Sequence, residues 1–171
     1  MANALVTTLR RLLAPVTRTR TFRRVAPRAL PVAERVLRRV TGGRVIVSGI
    51  LVPSLLLRTT GARSGRIRET PLMYTPDGRG GGIVAGTSFA RAQHPAWTAN
   101  LRAHPDAVAV VRGKTYRVRA QPIPAAERDA AWARIERQWP GYRGYERESG
   151  RTVRLFRLTT DQTPSPFTDR L

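Results

Sequence analysis

Leu55-Leu56-Leu57-Arg58-Thr59-Thr60-Gly61-Ala62-Arg63-Ser64-Gly65-Arg66-Ile67-Arg68-Glu69-Thr70-Pro71-Leu72 is the stretch whose reading decides the fold. Leucines running into β-branched threonines predict a short strand, a glycine-bounded loop follows, and a second strand leaves from Arg66. Glycines let backbone N–H groups turn toward one point, and guanidiniums beside them supply forked positive charge. Such a loop suits a ligand bearing phosphate or carboxylate groups. A plain hairpin with solvated arginines fits the same residues.

Around that stretch lies one domain's worth of chain, 171 residues, long enough to bury a core. The formal net charge is +20 and there is no cysteine, which excludes disulfides, thiolate metal sites and cysteine nucleophiles. Lys114 is the only lysine, so the charge is carried by arginine and points to an anionic partner: nucleic acid, an acidic membrane surface or a polyanionic small molecule. The apolar run Val45 to Leu57 is broken by Ser48, Gly49, Pro53 and Ser54. It falls short of the roughly 20 residues of a spanning helix. Nor does the N-terminus read as a secretory signal, so the expected location is cytoplasmic.

Residues 1–44 hold eleven arginines against Glu34 alone, a net of +10, half of the total. Leu5, Leu9, Leu12 and Leu13, and later Val32, Val36, Leu37 and Val40, recur at helical spacing among arginines. They predict a basic amphipathic helical segment. It would attach peripherally to an anionic membrane on its inner face, or pack its apolar stripes on the domain body.

Residues 45–160 read as the folded domain and 161–171 as a loose tail. Leu55–Thr60, Arg66–Thr75 and Ile83–Ser88 are β-like, the last two joined by the Asp77–Gly82 turn. No helix follows that glycine cluster, so it is a hairpin and not a dinucleotide fingerprint. Pro95 opens a helix, Ala96 to His104, and Ala107–Arg112 with Thr115–Gln121 form a second hairpin around Gly113-Lys114. Pro124 starts a helix through Trp139 with Trp132, Ile135 and Trp139 as its buried stripe, and Val153–Leu158 is the last strand. Antiparallel strands with two inserted helices predict a mainly β fold with α elements, a small barrel or roll.

Conventional catalytic sets are absent. His94 and His104 each precede a proline and neither sits at a metal-ligand spacing with carboxylates, no metal site is expected, and the acids show no paired arrangement. An enzyme of this composition would take its chemistry from a cofactor. Three clusters suit a ring-shaped ligand with an anionic tail: the Arg63-Ser64-Gly65 loop with Arg66 and Arg68; Ala85-Gly86-Thr87-Ser88 with the helix bearing Trp97 and Asn100; and Trp139-Pro140-Gly141-Tyr142-Arg143-Gly144-Tyr145. Trp97 and Trp139 are equally readable as core.

Leu56 to Leu72, then His94-Pro95-Ala96-Trp97-Thr98-Ala99-Asn100-Leu101-Arg102-Ala103-His104-Pro105, then Trp139 to Tyr145, stand in an order and spacing that resembles the deazaflavin (coenzyme F-420)-dependent nitroreductase and quinone reductase family. The resemblance spans roughly residues 50–160 and implies a split β-barrel of the FMN-binding type. It further implies an oxidoreductase passing a hydride from reduced F-420 to a quinone, nitro-aromatic or other conjugated acceptor. By analogy, Arg63, Ser64 and Arg68 would hold the phosphate and glutamate tail. Thr70, Pro71, Leu72 and Met73 would pass beside the cofactor, Ala85, Gly86, Thr87 and Ser88 would line its ring, and Ala96, Trp97, Thr98 and Asn100 would complete that wall. Tyr142 would close the site, and Tyr145, Trp139 and Thr87 would meet the acceptor. Ala62 and Ser88 stand where relatives carry a basic residue, for which Arg66 or Arg91 could compensate, whereas the departures at Phe89-Ala90 and Trp139 touch the acceptor more than the cofactor. FMN is the alternative cofactor. A non-enzymatic module for anionic lipid or nucleic acid is the other reading, but aromatics do not interleave with arginines as a nucleic-acid stacking platform requires, so no nucleic acid is expected.

Overall fold

The structure, a computed structural model, describes residues 53–167. The helices expected in residues 1–44, and the membrane reading that rests on them, lie outside those residues. Seven strands are present: β1 (Ser54–Thr60), β2 (Ile67–Met73), β3 (Thr75–Pro76), β4 (Gly82–Ala85), β5 (Asp106–Val111), β6 (Lys114–Pro122) and β7 (Leu155–Thr159). They form one antiparallel sheet in the order β2-β1-β5-β6-β7-β4-β3. The sheet curls until β2 approaches β4, giving the split-barrel architecture expected from the sequence.

Strand alternation sorts the side chains. Leu55, Leu57 and Thr59 point to one face, where α1 (Ala96–Ala103) inserts Trp97 and Leu101 among Val84, Phe156 and Leu158. The opposite face of β4 and β7 carries Ile83 and Leu155, covered by Ala131, Trp132 and Ile135 of α2 (Arg128–Gln138). Truncating a core aromatic of this kind costs about 3–5 kcal/mol, so Trp97, 4% exposed and tilted against Phe156 at 5.8 Å, has a structural duty whatever else it does.

The turns follow from their residues. Arg112 and Gly113 both take positive φ, the two-residue geometry that suits a twisted hairpin between β5 and β6. Asp77 Oδ1 accepts the N–H groups of Arg79 (2.7 Å) and Gly81 (2.8 Å), fixing the β3–β4 turn.

Four expectations are corrected. The strand from Arg66 breaks at Tyr74, whose N–H donates to Pro53 O and whose ring is buried. The strand from Ile83 stops at Ala85, and beyond it Ser88 and Ala90 adopt positive φ in a 3-10 turn, Ser88–Ala90. Trp139 to Tyr145 runs into a third helix, α3 (Gly144–Ser149), that the polar, aperiodic sequence did not announce. The tail is not loose over its described part: Phe167 is 1% exposed, stands edge-on to Tyr74 at 5.4 Å, and presses on Gly82, where a Cβ would sit 2.6 Å from its ring.

Candidate active site

The loop after β1 is closed by Gly61 N–H to Arg66 O (2.9 Å) and Gly65 N–H to Gly61 O (2.8 Å), with Gly65 at φ 64°. A Cβ on Gly61 would lie 2.6 Å from Ser64 Oγ, so a larger residue would disturb the serine side chain. From α1, Asn100 pins this loop. Its Oδ1 accepts Ala62 N–H at 3.0 Å while its Nδ2 donates to Thr59 Oγ1 at 3.0 Å. Arg63, Ser64, Arg66 and Arg68 remain exposed, and none of the three guanidiniums has an ion-pair partner among the described residues. Glu69, the one acid nearby in sequence, pairs with Arg58 at 2.8 Å on the sheet face opposite Arg68.

A second locus lies beyond β4. Ala85 and Met73 join Thr75, Ile83, Ile135, Gln138, Trp139 and Tyr142 around a small, mostly apolar cleft that opens to solvent. At its edge the Tyr142 hydroxyl meets Thr87 Oγ1 at 3.2 Å, and the Tyr145 ring stands perpendicular to that of Tyr142 at 5.4 Å. Burial pushes the Tyr142 phenol up to about 12, opposed by the Thr87 hydrogen bond and reinforced by Tyr145. The phenol therefore stays protonated at neutral pH, so it can donate a hydrogen bond and does not act as a base. Glu146 holds α3 in place, accepting from Arg128 at 2.6 Å and from Val153 N–H at 2.7 Å.

Helix α1 joins the two loci. A Cβ on Gly86 would lie 2.7 Å from Thr98 Cγ2, so only glycine allows β4 to leave the sheet this close to the helix. The Thr98 hydroxyl is spent within the protein, donating to Pro95 O (2.8 Å) and accepting from Arg154 (3.1 Å). Trp97, Thr98 and Asn100 thus back the wall from inside, while Ala96 is exposed.

Pairing also divides the β2 run. Arg68, Thr70 and Leu72 share the face of Thr59, Leu57 and Leu55, whereas Pro71 and Met73 take the other, the pocket side. Ser88 sits in the 3-10 turn beyond Thr87. Thr75, Ile83, Ile135 and Gln138 also line the cleft, although nothing in the sequence marked them as site residues. Ile135 and Gln138 lie one helical turn apart on α2, and that spacing alone could have signalled a shared face. Among the described residues no group of His, Asp or Glu is placed to hold a metal, and no helix is long and apolar enough to cross a membrane.

Exposed guanidiniums without carboxylate partners among the described residues suit a polyanionic ligand. Comparisons with known proteins give the family. The family model for F420H(2)-dependent quinone reductase matches residues 32–160. An F420H(2)-dependent quinone reductase of Mycobacterium tuberculosis (strain H37Rv) is 36% identical over 110 residues, 63% of this chain and 73% of that protein. The same figures hold for a putative F420H(2)-dependent quinone reductase of Mycobacterium bovis. The solved structure of an F420-H2 dependent reductase, FDR-A, is 27% identical with a TM-score of 0.55, covering 62% of this chain and 93% of that one. The chain belongs to the F420H(2)-dependent quinone reductase family, and it is an oxidoreductase whose cofactor is coenzyme F-420.

Proposed function

We propose that this chain reduces a quinone at the Tyr142 end of the site while the Arg63 loop holds the cofactor's anionic tail. The observation that carries the reading is the Tyr142–Thr87 hydroxyl pair at 3.2 Å beside an apolar pocket. Arg63, Ser64 and Arg68 would bind phosphate and carboxylate oxygens by charge-assisted hydrogen bonds. When bound, the reduced deazaflavin supplies the hydride. Tyr142, with Tyr145 packed against it, donates a hydrogen bond to the acceptor oxygen on which negative charge develops. Trp139 and Met73 exclude water and offer flat or soft apolar surface to a conjugated ring. A nitro-aromatic presents the same electron-poor plane and terminal oxygen, so it is the second acceptor class to test.

The first experiment is a fluorescence titration of the purified protein with oxidised F-420, run beside FMN, followed by turnover with menadione and a nitro-aromatic. Saturable micromolar or tighter quenching by the deazaflavin and faster turnover of menadione support the reading. Binding of FMN alone, or F-420 binding with no quinone turnover, overturns it. The basic segment of residues 1–44 would bring the enzyme to an anionic membrane. Co-sedimentation with anionic vesicles that persists when residues 1–44 are removed would refute that role.

A further inference from the structure

Arg151 does something no motif announced. It follows Gly150, whose φ of 64° ends α3, and its side chain crosses to the segment after β4. Nε donates to Arg91 O at 2.9 Å, and Nη2 donates to both Gly86 O (2.9 Å) and Thr87 O (2.8 Å). Nη1 lies 2.9 Å from His94 Nδ1, which accepts. One planar fork thus gathers four acceptors from a nine-residue stretch, a task for which a lysine, with a single nitrogen, is too small.

What it gathers is strained. Between Thr87 and Arg91 two non-glycine residues take left-handed backbone, Ser88 at φ 51° and Ala90 at φ 59°. Apart from the turn's own bonds, Ala90 N–H to Thr87 O (3.2 Å) and Arg91 N–H to Ser88 O (3.2 Å), no backbone ladder holds this stretch. Conformations of this kind persist only where the surroundings over-determine them.

We propose that Arg151 is a positioning residue for the reaction: it clasps α3, which carries Tyr145, to the Gly86–Arg91 segment, and so sets Thr87 against the Tyr142 hydroxyl. The inference rests on the reading of Tyr142 and Thr87 as the acceptor end of the site. Arg151 itself touches neither cofactor nor acceptor; it acts through the two carbonyls that aim the Thr87 backbone.

The test uses the full chain with R151M and R151K. In the cofactor-free protein, hydrogen exchange of the Ala90 and Arg91 amides is expected to quicken by about tenfold in R151M, with β5 and β6 amides unchanged. In the loaded enzyme, kcat with menadione is expected to fall by about tenfold or more, because misplacement of the order of 1 Å costs that much. The dissociation constant for oxidised F-420 should stay within about threefold, and R151K should recover part of kcat. Adding Thr87→Ala to R151M should cost less than Thr87→Ala costs alone, since one acts through the other. Unchanged local exchange, equal loss of binding and kcat, or full additivity with Thr87→Ala would overturn the clasp. Should R151M fail to fold, R151K carries the same measurements. A wild-type protein that binds F-420 but turns over no quinone would instead sink the acceptor reading, and the exchange data would still decide the clasp.

Discussion

The Gly61–Arg68 loop and the Gly86–Arg91 segment both leave the end of a strand, and both are braced by α1, yet they are built by opposite means. In the first, the backbone is pinned (Gly61 to Arg66, Ala62 to Asn100) while the guanidiniums of Arg63, Arg66 and Arg68 are left in solvent without carboxylate partners among the described residues. In the second, the guanidinium of Arg151 is consumed in fixing backbone, and the group left to act is a single half-buried phenol touching a single hydroxyl. On the proposed reading, a tail of many charges and rotatable bonds would be met by exposed side chains on a pinned loop. A flat ring and its acceptor would be met by a firm wall, because a transfer distance tolerates little error. Binding strength and reaction rate are therefore expected to separate along the molecule.

The largest test of that separation is Tyr142→Phe. Removal of one donor aimed at developing charge is expected to lower kcat with menadione by about a hundredfold, with F-420 affinity changed by less than about threefold. Equal losses in both would erase the division. Arg63→Ala should do the reverse: about tenfold weaker F-420 binding, a loss that shrinks as ionic strength rises, and a kcat close to wild type at saturating cofactor. A dissociation constant unmoved at low salt would remove Arg63 from the tail site. Asn100→Ala sharpens the comparison from below, since it strips partners from Ala62 N–H and Thr59 without touching a charge. Calorimetry should find a stability loss of about 1–3 kcal/mol, and titration should find binding weakened only a few-fold.

The smallest effect concerns pH. Burial, aided by the charges of Arg154, Arg151 and Arg102, holds His94 below its ordinary 6.5. The native state therefore favours the neutral ring, which accepts from Arg151; the unfolded chain takes up the proton first. Stability attached to this group is complete above pH 6.5 and drains away as pH falls through the lower native value. His94→Gln should flatten the slope of unfolding free energy against pH in that acid range, and a slope identical to wild type would show that the ring carries no such linkage.

Much of this was legible in the chain because the signals were local. Glycine and aspartate placed the Asp77–Gly82 turn, the leucine–threonine run placed β1, and proline placed the start of α1. The clusters that define the site stood at recognisable spacing. What escaped was either short or long-range. Helix α3 spans six residues with none fully buried, so no apolar period betrays it; it is held by Glu146, whose partners lie on α2 and before β7. The strand from Ile83 ends early because Gly86 must pass Thr98, a contact 12 positions away in sequence that composition does not encode. Thr98 and Asn100 looked like ligand-facing polar residues, yet their polar atoms already have protein partners. Arg151 was one arginine among many, and only its direction in space sets it apart.

The place of β7 in the sheet has a bearing on how the molecule is made. It is the last strand among the described residues, yet it lies between β6 and β4, so no strand ladder joins the β3–β4 hairpin to the rest of the sheet until Leu155–Thr159 exists. Phe167, further on still, seats on Gly82 in that same hairpin. During synthesis, the partners needed to pair β1, β2, β5 and β6 are all made before β7, so β4 precedes the strand that joins it to the sheet by some 70 residues. The barrel is thus finished from its far end. A ribosome that stalls between residues 123 and 154 leaves exposed, in one chain, the hairpin that carries Thr75, Ile83 and Ala85 of the cleft.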